Sequence, residues 1–156
     1  RRIVRRMTAP SSLPYILLTA LAACGPGARP DASWDEQRLS AALSDASSDV
    51  RQRAAYQLGE RRPDGAYWPL VKALGDPRWE VRANAARALG RVSRKDALVP
   101  LAHSLHDNHW WVRVKTAQAL GERRDPTAAP YLSVALSDEN ESVSAAARRS
   151  LAEVAR

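Results

Sequence analysis

Four segments of this chain align at a spacing of 31 residues, with no insertion or deletion between them. Asp45, Asp76, Asp107 and Asp138 share one position, each two residues after Leu43, Leu74, Leu105 and Leu136. Val50, Val81, Val112 and Val143 share another, and Arg51, Arg82 and Arg113 follow the first three. Leu58, Leu89, Leu120 and Leu151 close the units, followed by Gly59, Gly90, Gly121 and then Ala152. A fixed period of this size means one supersecondary unit stacked on copies of itself. One unit alone cannot bury its apolar face, so stability must come from interfaces between neighbours. Such a chain points to a scaffold rather than to an enzyme.

Each unit carries two apolar stretches of helical period. Leu70, Val71 and Leu74 form the first stripe of the second unit, and Val81, Ala85, Ala88 and Leu89 form the next at i, i+4, i+7 and i+8. Between them lies Gly75-Asp76-Pro77, which reads as an Asp N-cap with Pro at the first helical position. Glu80 adds first-turn negative charge, and Gly59, Gly90 and Gly121 read as residues that end the second helices. No apolar-polar alternation of useful length marks a strand. The small pairs Ala54-Ala55, Ala85-Ala86, Thr116-Ala117 and Ala146-Ala147 let helices approach closely. The expectation is an all-α solenoid of eight helices in four antiparallel pairs, over 34–62, 65–93, 96–124 and 127–156.

The pattern Leu-x-Asp-x-x-x-x-Val-Arg-x-x-Ala-Ala-x-x-Leu-Gly resembles the HEAT-like repeats, in particular the short variety first named for phycobilin lyases. Asp76, Val81, Arg82, Ala85, Ala86, Leu89 and Gly90 match it throughout, and the resemblance covers about residues 34–156. It implies a fold but little about function, since such proteins include scaffolds, lyase subunits and DNA-repair proteins. It also implies that the repeated Asp and Arg form a hydrogen-bonded ladder between repeats. Recurrence in three or four copies is what a structural role demands. The last unit keeps Asp138 but has Ser144 where the others have Arg, and Ala152 where they have Gly, so the stack is expected to end at four. A ladder running forward needs no Arg there, so Arg51 should reach Asp76, Arg82 Asp107 and Arg113 Asp138, with Asp45 opening the series.

The N-terminal segment reads differently. Arg1, Arg2, Arg5 and Arg6 precede an apolar stretch from Leu13 to Ala23, which is too short to span a membrane. A basic region, a short apolar region and small residues before a cut site make a secretory signal. Leu21-Ala22-Ala23-Cys24 resembles the lipobox of bacterial lipoproteins, which implies that Cys24, the sole cysteine, is the lipid-bearing first residue after processing. Residues 24–33, rich in Gly and Pro, are expected to be a flexible linker. The location implied is the bacterial cell envelope, at the periplasmic side or the outer membrane. Residues 1–23 hold four of the 24 basic residues and none of the 17 acidic ones, so the net +7 falls to 20 against 17, or +3. A nucleic-acid reading thereby loses much of its support.

In the family resembled, the second helices line the concave face. Their positions outside the core form two rows: Arg53, Asn84, Lys115 and Ala146, then Tyr56, Arg87, Gln118 and Arg149. These read as a mildly basic stripe suited to an acidic or extended protein, or equally as an ordinary solvated face. Trp79 and Trp110 share a repeat position and are candidates for partner contact, with packing onto the next repeat as the other reading. Trp34 and Trp68 read as structural. His103, His106 and His109 are the one metal-like spacing, but they lack Cys or carboxylate company beyond Asp107. The His-Glu motif of HEAT-like iron hydroxylases is replaced by Arg53, Asn84 and Lys115. Arg61-Arg62 and Arg123-Arg124 read as cations complementing helix C-termini. No nucleophile-base pair, phosphate loop or paired-carboxylate motif appears. The expectation is a monomeric, non-catalytic, lipid-anchored scaffold without cofactor or metal that binds a protein partner. An accessory subunit of a lyase-like enzyme is the alternative, and a cytosolic nucleic-acid-binding protein is a more distant one.

Overall fold

Short stretches of apolar residues at helical spacing, broken every dozen residues by polar turns, fold into helical hairpins. The computed structural model describes residues 29–61 and 64–156. The signal segment, Cys24 and Arg62 lie outside the described residues. Eight α-helices are present among them: α1 Glu36–Ala42, α2 Ser48–Glu60, α3 Tyr67–Ala73, α4 Trp79–Gly90, α5 Leu98–Ser104, α6 Trp110–Glu122, α7 Ala129–Ala135 and α8 Glu141–Val154. The odd-numbered helices form an outer layer and the even-numbered ones an inner layer. Single 3₁₀ turns over Asp64–Ala66, Lys95–Ala97 and Pro126–Ala128 lead into α3, α5 and α7. Pro69, Pro100 and Pro130 sit in the first turns of these helices, where a missing N–H breaks no intrahelical bond.

The core runs the length of the stack between the layers. Leu39, Leu58, Leu70, Leu89, Leu101, Leu120 and Leu132 are fully buried, with Val81, Val112 and Val143. The inner helices pack on one another in order, α2 on α4, α4 on α6 and α6 on α8, each also holding its own outer helix.

Three local expectations are corrected. Asp76 does not cap α4: that helix begins at Trp79 with Arg78 at its N-cap, and the Asp76 carboxylate instead accepts from Arg78 N at 2.9 Å and from Arg51. Gly59, Gly90 and Gly121 are not left-handed: Gly59 and Gly121 lie within α2 and α6, and Gly90 is the last residue of α4 but keeps helical backbone. A Cβ on Gly90 would stand 2.7 Å from Ala119 Cβ, and one on Gly121 2.6 Å from Ser150 Cβ. Close helix approach, not turn geometry, requires them. The end of the linker is also less free than expected. Trp34 and Pro30 are buried, and Arg61 donates to the carbonyls of Ala32 and Trp34, which fastens residues 30–34 to the domain.

Candidate partner-binding surface

Fixing the surface begins with the residues that hold the repeats in register. Arg51 Nε and Nη2 donate to the Asp76 carboxylate at 2.6 and 3.0 Å. Arg82 does the same to Asp107 at 2.7 and 2.8 Å, and Arg113 to Asp138 at 2.8 and 2.9 Å. Each Nη1 turns back to the carbonyl of its own repeat's Asp, at 3.0, 2.9 and 2.9 Å for Asp45, Asp76 and Asp107. One guanidinium thus ties its own inter-helix turn to the next repeat's turn. Burial pushes the carboxyls of Asp76, Asp107 and Asp138 up, but their arginine and backbone N–H donors outweigh it and hold them below the usual range. The three arginines are raised by the same bonds. In the fourth repeat the Ser144 hydroxyl donates to Glu141 O, within its own helix.

At the other end of the inner helices a second set of arginines reaches backward. Arg123 donates to the carbonyls of Leu89, Val92 and Arg94, at 3.2, 2.8 and 2.6 Å, and Arg91 to Gly59 O at 2.8 Å. Arg61 plays the same part for the first repeat. Beyond the dipole role expected of them, Arg61 and Arg123 thus bond directly to carbonyls of the chain before their own helices, at Ala32 and Trp34 and at the end of α4 with the turn after it. Burial lowers the Arg123 guanidinium from its ordinary value.

Inner-helix positions not consumed in this way face solvent. Arg53, Tyr56 and Arg149, on the end repeats, are exposed, whereas Asn84, Arg87, Lys115 and Gln118, at the same positions of the middle repeats, are half-buried. The inner helices pack closely along the stack while α3, α5 and α7 scarcely touch one another, so the inner-helix face is the shorter, concave one. Ala146 does not join the row: it is 1% exposed. Arg87 is held by Glu60 at 2.8 Å and lies over the Tyr56 ring at 4.5 Å. Lys115 lies over Trp111 at 4.7 Å and donates to Gln118 at 3.3 Å.

The face extends beyond the two expected rows. Helical spacing adds Asp49, Glu80 and Trp111 at one end and Glu60, Arg91, Glu122 and Glu153 at the other. Arg91 bridges Glu60 and Glu122 at 3.6 and 3.3 Å. A polar cleft of about 890 Å³ opens there, between the C-terminal ends of α4, α6 and α8. With these carboxylates counted, the concave face is balanced in charge rather than mildly basic. The acidic row was there to be found seven residues beyond Arg53, Asn84, Lys115 and Ala146.

The aromatic residues divide. Trp79 stacks on His109 of the next repeat, ring centroids 4.2 Å apart and 3° from parallel. Trp110 meets Trp111 edge-on at 5.3 Å and keeps a solvent edge. Trp34 is buried under Arg38, as expected of a structural residue, but Trp68 is 67% exposed and is not. His103 lies in the last turn of α5, His106 beyond it and His109 at the N-cap of α6, stacked on Trp79. No group of three or more His, Cys, Asp or Glu able to hold a metal is found among the described residues.

Paired helices in two layers, a ladder between turns and a concave polar face define an α-helical repeat solenoid. The chain belongs to the HEAT repeats family, whose model matches residues 36–113 and 98–155. Among solved structures it is similar to human deoxyhypusine hydroxylase in complex with glycerol, with 26% identity and a TM-score of 0.68 over 82% of this chain. It spans 46% of the hydroxylase's length. The complex of CpcE and CpcF of phycocyanin lyase from Nostoc sp. matches 98% of this chain and 70% of its own, at 21% identity and a TM-score of 0.62. A designed armadillo repeat protein in complex with the peptide (KR)4 matches 79% of this chain and 70% of its own, at 23% identity and a TM-score of 0.62. No curated protein sequence matches.

Proposed function

We propose that the protein is a non-catalytic scaffold, exported and lipid-anchored through Cys24, that grips a protein partner on the concave face. The observation that carries this reading is the division of labour on the inner helices. The repeated Arg51, Arg82 and Arg113, with Asp76, Asp107 and Asp138, are spent on joining neighbouring repeats, while Arg53, Tyr56, Asn84, Arg87, Lys115, Gln118 and Arg149 vary between repeats and face solvent. Several of them are already held by neighbours, which lowers the ordering entropy lost on binding. The balanced charge favours an extended segment of mixed charge and argues against nucleic acid, which needs a strongly basic track. A likeness to a designed repeat protein that holds a peptide supports the same reading.

An accessory subunit of a lyase-like enzyme, again working by binding, is favoured by one observation: the likeness to the CpcE–CpcF complex runs over nearly the whole chain. Capture from detergent-solubilised membranes tests the scaffold. The wild-type chain should retain a partner, and Arg53→Glu with Lys115→Glu should lose it at least about tenfold, since like-charge juxtaposition costs several kcal/mol. Undiminished capture by the double variant would remove the concave face from the account. Palmitate labelling lost in Cys24→Ser tests the anchor.

A further inference from the structure

The outer layer carries a surface that the scaffold reading does not use. Along α1, α3, α5 and α7 two exposed rows run in repeat register. One is Gln37, Trp68, Val99 and Pro130; the other, one turn on, is Ala41, Lys72, His103 and Val134. Trp68 is 67% exposed, Val99 54% and Val134 64%, each large enough to be buried if anything in the fold covered it. Helices α3, α5 and α7 contain no Asp or Glu. Asp64, Asp96 and Asp125 lie in or beside the 3₁₀ turns that lead into them, and Asp35 and Glu36 open α1. The two faces of the solenoid therefore differ in kind: the concave one is charged and balanced, the convex one apolar with a lysine and no carboxylate over three helices.

We propose that this convex face rests on the surface of a lipid bilayer, with Trp68, Val99 and Val134 in the headgroup boundary and Lys72 among the phosphates. The choice of a lipid surface as occupant rests on the anchor reading above and on where the chain enters the fold. Cys24 lies five positions before Arg29, the first described residue, a separation of at most about 18 Å. The segment that follows is packed down through Pro30, Trp34 and the Arg61 bonds, so it adds little slack. It leads directly into α1, which belongs to the outer layer. A lipid on Cys24 thus holds the convex side near the membrane. Tryptophan favours that boundary, and a lysine beside anionic headgroups is attracted to it. No helix of the described residues is long and apolar enough to cross a membrane, so the contact is with the surface. The concave face then turns away from the bilayer, open to a partner.

Tryptophan quenching by vesicles tests this. The full chain is placed with an equal mixture of phosphatidylethanolamine and phosphatidylglycerol bearing brominated acyl chains, alongside Trp68→Phe and the pair Val99→Ser with Val134→Ser. These positions are exposed, so melting temperatures should not move. The expected result is quenching of the wild type, most of it lost in Trp68→Phe, the one tryptophan placed in the boundary, and a clear loss in the serine pair. Palmitate labelling of the same preparation separates the two readings. A labelled chain whose quenching does not depend on Trp68 overturns this inference and leaves the anchor intact. An unlabelled chain ends the anchor reading, and its quenching with added vesicles then decides the convex face alone: dependence on Trp68 sustains the lipid contact, and none overturns it. A concentration-dependent dimer abolished by the serine pair would give the face to a second copy and also overturn it.

Discussion

Arg82 uses all five of its N–H groups: three toward Asp107 and Asn108 of the next repeat, two toward the Asp76 and Pro77 carbonyls of its own. A lysine has one charged point and could not span the two turns. The same bonds make the stack sensitive to acid. Asp76, Asp107 and Asp138 have folded pKa values below their unfolded ones, so the folded state binds fewer protons. Their contribution is fully present above the ordinary carboxylate value of about 4 and drains as pH falls through the folded values. Urea unfolding should give a midpoint clearly lower at pH 3 than at pH 7, with a flatter dependence in Asp138→Asn. A midpoint unchanged or higher in acid would contradict the ladder's charge state. The forward direction of the ladder was legible because Ser144 breaks the series at one end only. The role of Asp76 was half legible: its place before a helix was evident, but its commitment to Arg51 rather than to the helix depends on a residue 25 positions away.

Helices approach one another most closely where the sequence has glycine, and the three glycines are not equivalent. At Gly90 and Gly121 an added Cβ would meet backbone atoms of the next inner helix, Ala119 Cα at 2.8 Å and Ser150 Cα at 2.9 Å. Only separation of the helices could relieve that. At Gly59 the tightest neighbour is the Arg87 Nη2 tip at 3.3 Å, with the Ala88 atoms at ordinary 3.5 Å contact. Gly90→Ala should therefore destabilise by about 1–3 kcal/mol through overpacking. Gly59→Ala should be neutral or gain up to about 1 kcal/mol from helix propensity. Thermal melts of the two variants check this, and equal effects would refute the close-approach reading. Sequence period located these glycines but not their purpose, because an αL stop and a helix crossing ask for the same residue. Exposure of Trp68 was likewise illegible, since aromatic side chains are ordinarily buried and nothing local marks one that is not.

Over the whole molecule, positions buried between inner repeats turn polar at the ends. Ala88, Ala119 and Ser150 receive the preceding glycine, whereas the first repeat has Gln57 there. Ala55, Ala86 and Ala117 are fully buried, whereas the fourth repeat has an exposed Arg148. The architecture was legible in full from the 31-residue period, because repetition fixes every interface at once. The concave face was legible only in part: its two basic rows follow from helical spacing, but its charge balance depends on acids one turn before the first row and one turn after the second. The central claim is that repeated residues build the stack and varied ones meet the partner. Its most direct test measures urea stability and membrane capture side by side for Arg82→Ala and for Arg53→Glu with Lys115→Glu. Arg82→Ala should lose about 3–5 kcal/mol by stranding a buried carboxylate, yet capture its partner normally where it remains folded. The charge reversals should keep their stability and lose capture. An Arg82→Ala chain that stayed stable but lost its partner would make the ladder the binding site and contradict the account.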